Sequence, residues 1–479
     1  MCDASQTPPM HISQNTLLIS ISCFLLLACA TEKYEAKPFN LEKSTVKILA
    51  KDPLDANFQA YLSKQGYASA NLTWGLDELT LCALYFNPKL DVAKAQFALA
   101  SAQVDSAGQQ QNPTLNGNIA HSNLSNGDKR PWADGLNVEI PIETANKRAI
   151  RVEEALDLAT ASRMDVADTA WQLRNQIAND LTEYHQNIAT AKLIQNELDI
   201  QSEVVNMLKK RMDNGLVSKT DLSLAQFAQL KTQASLNNAQ AKSVEIQARL
   251  ANDVGLTLEM FRPVNIKALD MDATLARQAN ALDEGFVNKA LQADTLLNRI
   301  DIRRSLAKYE AAEAKIKLEI ARQMPDISLT PGIAFEFGDS IWSLGFSSLL
   351  NLVNKNAKLI NEAKQLREVE GAQFEALQAQ IIGDLNQQYA NYQAARQVLA
   401  QAQSQYTSQL QHMQKLQKQF DSGLIDRLEL KQNSLTNIIA LQQVVAAQFE
   451  TLKAANQLEN IMQKPLYTDF VMPSLQVMP

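Results

Sequence analysis

The sequence predicts a mainly α-helical protein with a small β part, made from one helix–strand–strand–long helix–helix unit used twice. Three observations predict it. Residues 76–255 and 285–463 share one pattern, proline is missing from two long blocks, and four short segments change their apolar period from 3.6 to 2.

The duplication is read by shifting 208 positions. Ala191, Ile194, Leu198, Val205, Leu208 and Met212 return as Leu399, Ala402, Tyr406, Met413, Leu416 and Phe420, spaced alternately three and four as a heptad seam requires. Gln201 and Gln409 interrupt the seam at the same place. Both series then meet a glycine turn, Asp213-Asn214-Gly215-Leu216 and Asp421-Ser422-Gly423-Leu424, followed by Asp221-Leu222 and Glu429-Leu430.

No proline lies between Pro141 and Pro263 or between Pro331 and Pro465, and proline is the strongest helix breaker. Each block therefore holds a helix of about 70 residues, near 144–213 and near 352–421, then one of about 38 after the turn. At 1.5 Å per residue the long helix measures about 105 Å. One short helix near 76–111 and one near 286–322 precede the strands. Each of these, laid end to end with the helix after its turn, equals the long helix in length, so every repeat supplies two staves of equal height.

Between those helices, Leu115, Gly117, Ile119 and Leu136, Val138, Ile140, Ile142 alternate with polar residues. Ile327, Leu329, Ile333, Phe335, Phe337 and Trp342, Leu344, Phe346, Leu350 do the same. The expected strands are 115–123, 134–142, 327–337 and 341–350, oily on one face and long enough to cross a bilayer when tilted. Trp132 and Trp342 stand near strand ends, where interfacial aromatics collect. Four strands cannot close a barrel, and an open edge cannot stay in lipid. A homotrimer contributing twelve is the smallest arrangement with an aqueous bore, and it would gather twelve staves beneath.

Composition excludes other classes. With 45 basic and 52 acidic residues interspersed and a net charge of -7, no basic stripe offers itself to nucleic acid. Cys2, Cys23 and Cys29 lie in the first thirty residues, which leaves Cys82 alone beyond them. No disulfide framework is available. His121, His185 and His412 lack metal-ligand spacing, and Ser218-Lys219-Thr220 has no preceding phosphate-loop glycines. The reading is noncatalytic, with no cofactor and no metal.

Thr16 to Ala28 is an apolar run of signal-peptide length, ending in Leu26-Leu27-Ala28-Cys29. It resembles the bacterial lipobox, which implies removal of residues 1–28 and lipidation of Cys29.

Nearly all of the mature chain resembles TolC-like outer-membrane efflux proteins, in particular their lipoprotein branch. The carriers are Asn87-Pro88-Lys89-Leu90 with Ala95 and Ala102 leading to Pro113, then Arg299-Ile300-Asp301-Ile302 with Ala307 and Ala314 leading to Pro325-Asp326-Ile327, and the two glycine–leucine turns. Ile300 departs from the proline usual there. The resemblance implies a homotrimeric exit duct in the outer membrane of a bacterium. A twelve-stranded transmembrane β-barrel would stand above a long α-helical barrel in the periplasm, partnered by a periplasmic adaptor protein and an inner-membrane pump. Residues 29–75, 256–284 and the tail 464–479 would form the girdle. Gly215, Leu216, Ser218, Gly423 and Leu424 would form the periplasmic tip that meets the adaptor, and Asp221, Glu429 and Phe420 are pore-constriction candidates. The rival readings are a noncatalytic periplasmic coiled-coil scaffold and the exit duct of a protein-secretion system.

Mass spectrometry of the mature N-terminus is expected to show a diacylated or triacylated Cys29. An unmodified terminus at another residue would refute the anchor.

Overall fold

The computed structural model describes residues 32–67, 72–123, 131–282, 287–336, 339–349, 355–466 and 470–473. The expected signal segment, Cys29, Phe337 and Leu350 lie outside them. The chain divides into two compact units, residues 1–50 and 51–479. Within the first, α1 (Leu41–Leu49) starts at Asn40, whose side chain accepts from the Lys43 amide at 2.9 Å, and it buries no residue.

The second unit runs α2 (Ala56–Lys64), β1 (Thr73–Trp74), α3 (Leu76–Phe86), α4 (Pro88–Ala107), β2 (Thr114–His121), β3 (Trp132–Ile142), α5 (Lys147–Asp213) and α6 (Lys219–Asp253). After α7 (Leu258–Phe261), β4 (Asn265–Ile266) and α8 (Met271–Ala281), the pattern returns. It continues through α9 (Lys289–Asn298), α10 (Ile300–Ala321), β5 (Ile327–Glu336), β6 (Asp339–Ser348), α11 (Ala357–Asp421) and α12 (Arg427–Met462). β1 pairs in parallel with β4, joining the segment before the first repeat to the segment between the two.

The long helices have 67 and 65 residues, about 100 Å each. Both are entered through an asparagine in the left-handed region, Asn146 at φ 57° and Asn356 at φ 60°. Asparagine tolerates that region because its short polar side chain bonds locally. Both starts fall a few residues after the expected 144 and 352.

The expected single helices near 76–111 and 286–322 are each broken in two. In the first repeat, Asn87 takes an extended conformation and Pro88 opens α4. Proline is suited to a first helical position but forces the residue before it out of the helix. In the second repeat Ile300 stands in proline's place, yet the chain breaks at the same point, at Arg299. There Arg299 forks onto Asp301 at 2.6 Å and also donates to the Ile461 carbonyl, while the Ile300 amide donates to Gln463 Oε1 at 2.7 Å.

These breaks are the joints between stacked helices. Asn87 Nδ2 donates to the Asp253 carbonyl at 2.7 Å, so α4 sits on the end of α6. Gly255, at φ +79°, lies so close that an added Cβ would meet the Phe86 oxygen at 2.5 Å. Its repeat partner, Gln463, shares the left-handed conformation at φ 49° and seats α10 on α12. The core around the first joint gathers Phe58, Leu79, Leu81, Ile177, Ile246 and Leu250, each fully buried.

Packing then gives four staves. α5 packs against α4 and α6, and against α10 and α12; α11 packs against α10 and α12. The stave order is α4/α6, α5, α10/α12, α11. The sheet is antiparallel in the order β2-β3-β5-β6, and each strand adjoins its own stave in sequence. Strands and staves therefore form one strip with the same order at both levels. Thr144 and Lys147, at the base of β3 and start of α5, fasten to β5 through Asp326 at 2.8 and 2.7 Å.

Register sorts the two faces. Leu115 opposes Val138, Leu136 opposes Ile333, Ile140 opposes Leu329, Leu329 opposes Phe346, and Ile333 opposes Trp342. Directly opposed residues share a face, so these apolar residues of the four strands stand together, with Ile119 78%, Trp342 80% and Phe346 82% exposed; Ile341, opposed to Ala334, is on the other face. Asn116, Asn137, Glu139, Thr330 and Ser343 occupy the other face, where Asn116 donates to Asn137 at 3.1 Å. That polar face is tightly spaced, since a Cβ on Gly332 would meet the Cβ of Asn137 at 2.9 Å.

Val138→Arg or Leu344→Arg is expected to reduce detergent-resistant oligomer recovered from membranes, by about 2 to 4 kcal/mol for a site near the bilayer midplane. Ser343→Arg, on the polar face, is expected to be tolerated. Equal loss on both faces would show that the apolar face does not meet hydrocarbon.

Candidate functional site: the glycine-turn end of the helices

α5 and α11 end in the same backbone device. The Gly215 and Gly423 amides donate to Met212 and Phe420, both at 2.9 Å, and the Leu216 and Leu424 amides reach back to Arg211 and Gln419, both at 2.8 Å. This pair of bonds is the Schellman closure, which needs a left-handed residue after the helix. Both glycines supply it at φ +72°. An added Cβ at either would meet nothing within 4 Å, so the glycines serve the backbone alone. The leucines beside them project outward, 73% exposed at Leu216 and 75% at Leu424.

The next helices are capped differently. Ser218 Oγ accepts from the Asp221 amide at 3.1 Å, while Asp221 Oδ2 takes the Ser218 hydroxyl at 2.7 Å and its amide at 3.1 Å. This reciprocal capping box holds the Asp221 carboxyl below its usual range, chiefly through the Ser218 hydroxyl. In the second repeat Asp426 is the cap, accepting from the Glu429 amide at 2.9 Å. The Glu429 carboxylate is exposed and, among the described residues, meets no hydrogen-bond or ion-pair partner, whereas that of Asp221 is bonded to Ser218. Phe420 is half-buried one turn before Gly423.

The two turns are drawn together by contacts that sequence reading missed. Val204 and Leu208 of α5, Leu222 of α6 and Leu428 of α12 form one buried cluster, with Val217 and Leu435 against it. Over it, Arg211 bonds Asp426 at 2.8 Å, and Glu203 takes Lys431 at 2.9 Å and Arg427 at 3.4 Å. Lys431 holds the Glu203 carboxyl below its usual range, and Arg211 does so for Asp426. These charges occur where the repeats differ: Glu203 and Arg211 match Gln411 and Gln419, and Asp426 and Lys431 match Ser218 and Ser223. Divergence between copies was the available signal.

The site offers surfaces and charge rather than chemistry. Among the described residues no three His, Cys, Asp or Glu side chains are grouped to hold a metal ion. Among them too, no helix is long and apolar enough to cross a membrane, which leaves a β-barrel untouched. Cys82 is buried against the Val254 carbonyl, and burial pushes its thiol up.

Residues 82–256 match the family model described as outer membrane efflux protein. Nodulation protein T of Rhizobium leguminosarum bv. trifolii is 28% identical over 174 residues, which cover 34% of this chain and 37% of that protein. Among solved structures, the outer membrane protein VceC of Vibrio cholerae has a TM-score of 0.63 at 18% identity, covering 82% of this chain and 96% of its own. The outer-membrane channel OprN reaches 0.66 at 16% identity over 92% and 100%. The open state of the MtrE outer membrane channel of Neisseria gonorrhoeae gives 0.63 at 18%, over 82% and 89%.

Glu203→Gln removes the negative charge shared by Lys431 and Arg427. Arg427 is exposed and Glu203 and Lys431 are only half-buried, so global stability is expected to change by about 1 kcal/mol or less. Backbone hydrogen exchange over residues 422–431 is expected to quicken all the same. Unchanged exchange there would mean that the ion pairs do not hold the second turn.

Proposed function

We propose that this chain, whose residues 82–256 match the outer membrane efflux protein family model, is a member of that family and the passive exit duct of a tripartite efflux system. The observation that carries this reading is the strip: four strands and four staves in one order, with β2 and β6 at the sheet's open edges. Edges of different structure at the two sides pair head to tail, and such pairing closes into a ring when the rotation permits. Three copies give twelve strands, enough for an aqueous bore, with the apolar face against lipid and the polar face toward solute. Twelve staves beneath would line the periplasmic conduit.

The partition proposed with it keeps 76–255 and 285–463 as the two repeats, with 29–75, 256–284 and 464–479 as the girdle. Cys29 would carry the lipid anchor. Gly215, Leu216, Ser218, Gly423 and Leu424 would face a periplasmic adaptor, since exposed leucines on rigid turns are suited to apolar docking. The inner-membrane pump would supply the energy, and the cargo would be small molecules such as drugs or metal ions. Of the acidic candidates, Glu429 is favoured for the constriction because its carboxylate is free, whereas Asp221 is committed to its cap.

Purified oligomer in planar bilayers is expected to conduct, and absence of any conductance would favour the scaffold reading. Glu429→Lys is expected to alter conductance and cation block with oligomer stability nearly unchanged. Leu216→Asp is expected to impair efflux in cells while single-channel conductance stays at the wild-type level. Wild-type block in the Glu429→Lys channel would remove the constriction assignment.

A further inference from the structure

Where α6 ends beneath α4, two aspartates face each other out of water. Asp180 on α5 is 5% exposed and Asp253 at the end of α6 is 8% exposed. The Oδ2 atoms of both are buried and have no donor. Asp180 spends its other oxygen on Arg249, at 3.1 Å. Two ionised carboxylates in such a place would repel each other and forgo hydration, and a single proton between them removes both penalties.

We propose that Asp180 and Asp253 hold one proton between them, and that this proton fastens the joint at which α6 stacks under α4 against α5. The charges around the pair are themselves partnered, with Lys242 on Glu183 at 3.3 Å and on Glu245 at 2.7 Å. Glu183 on α5 binds Arg249, and Glu245 on α6 binds it at 3.1 Å. Lys89 at the start of α4 draws Asp253 toward ionisation, as does Arg249. Lys51 donates to the Phe86 carbonyl at 2.5 Å and to the Gly255 carbonyl at 3.2 Å, capping the ends of α3 and α6. The Cys82 thiol lies on the Val254 carbonyl. Burial first, then the hydrogen bond and charge of Asp180, push the Asp253 carboxyl up to about 7. The second joint has no such pair, because its matching positions are Gln388 and Ile461.

An aspartate in an unfolded chain titrates near about 3.9, so folding of this joint takes up a proton between that pH and about 7. Its stabilisation is whole below the window and is lost as pH rises through about 7. Hydrogen exchange on the full-length protein in detergent, corrected for intrinsic rates, reads this directly. Opening of amides 246–255 is expected to rise up to about tenfold per pH unit between about pH 5 and about pH 7, then level off. Amides 454–463 at the second joint are the internal reference and should lack that slope. Asp253→Asn, whose amide donates to Asp180 permanently, is expected to abolish it. Infrared spectra of the wild-type protein should also show a protonated-carboxyl band that persists across this window and fades as pH rises through about 7, so the test does not depend on the variant folding. Equal slopes at both joints, or no such band, would overturn the proposal.

Discussion

Each strand of the sheet adjoins one helical stave in sequence, and that covalent continuity is the constraint on which the rest depends. Once the hydrogen-bond register sets the strand order β2-β3-β5-β6, the staves below inherit it. The same order carries an unfinished edge through both levels. β2 and β6 each present a row of backbone groups that another strand can satisfy, and backbone left unpaired in hydrocarbon costs several kcal/mol per group. If these strands stand in a membrane, as proposed, a chain of this design would be stable there only as part of a closed ring.

The duplication is solved with different chemistry at matching points. The first joint uses a proline, an asparagine side chain and a glycine against which the backbone closes. The second uses an arginine fork and a glutamine held at positive φ. Backbone geometry is kept while side chains change, because stacking two helices fixes where the chain must break but leaves open what fills the gap. The same freedom let the first joint gather carboxylates where the second has a glutamine and an isoleucine.

Much of this was legible in the sequence. The absence of proline over two long blocks located α5 and α11 to within a few residues, and alternation located all four strands, since period and breakers are local properties. The helix breaks are less legible: Pro88 marks the first, but Ile300 gives no local sign of the second, which Arg299 and Gln463 create through tertiary bonds. At the turn end, Gly215 and Gly423 were found from their pattern. Glu203, Arg211, Asp426 and Lys431 were not, since pairing between α5 and α12 joins residues more than two hundred positions apart. Gln201 shows the limit from the other side: its place in the seam was read, but its bond to Glu197 at 3.0 Å depends on how the helix is turned.

The identical closure of α5 and α11 has an electrical consequence. Each turn sets a helix C-terminus beside the N-terminus of the next helix, so partial charges of about half a unit and opposite sign lie side by side. Seen from beyond the turns these dipoles largely cancel. The field at this end of the molecule is therefore set mainly by side chains, among them Lys219 and Glu429, and substitutions there can change it without disturbing the helices that carry them.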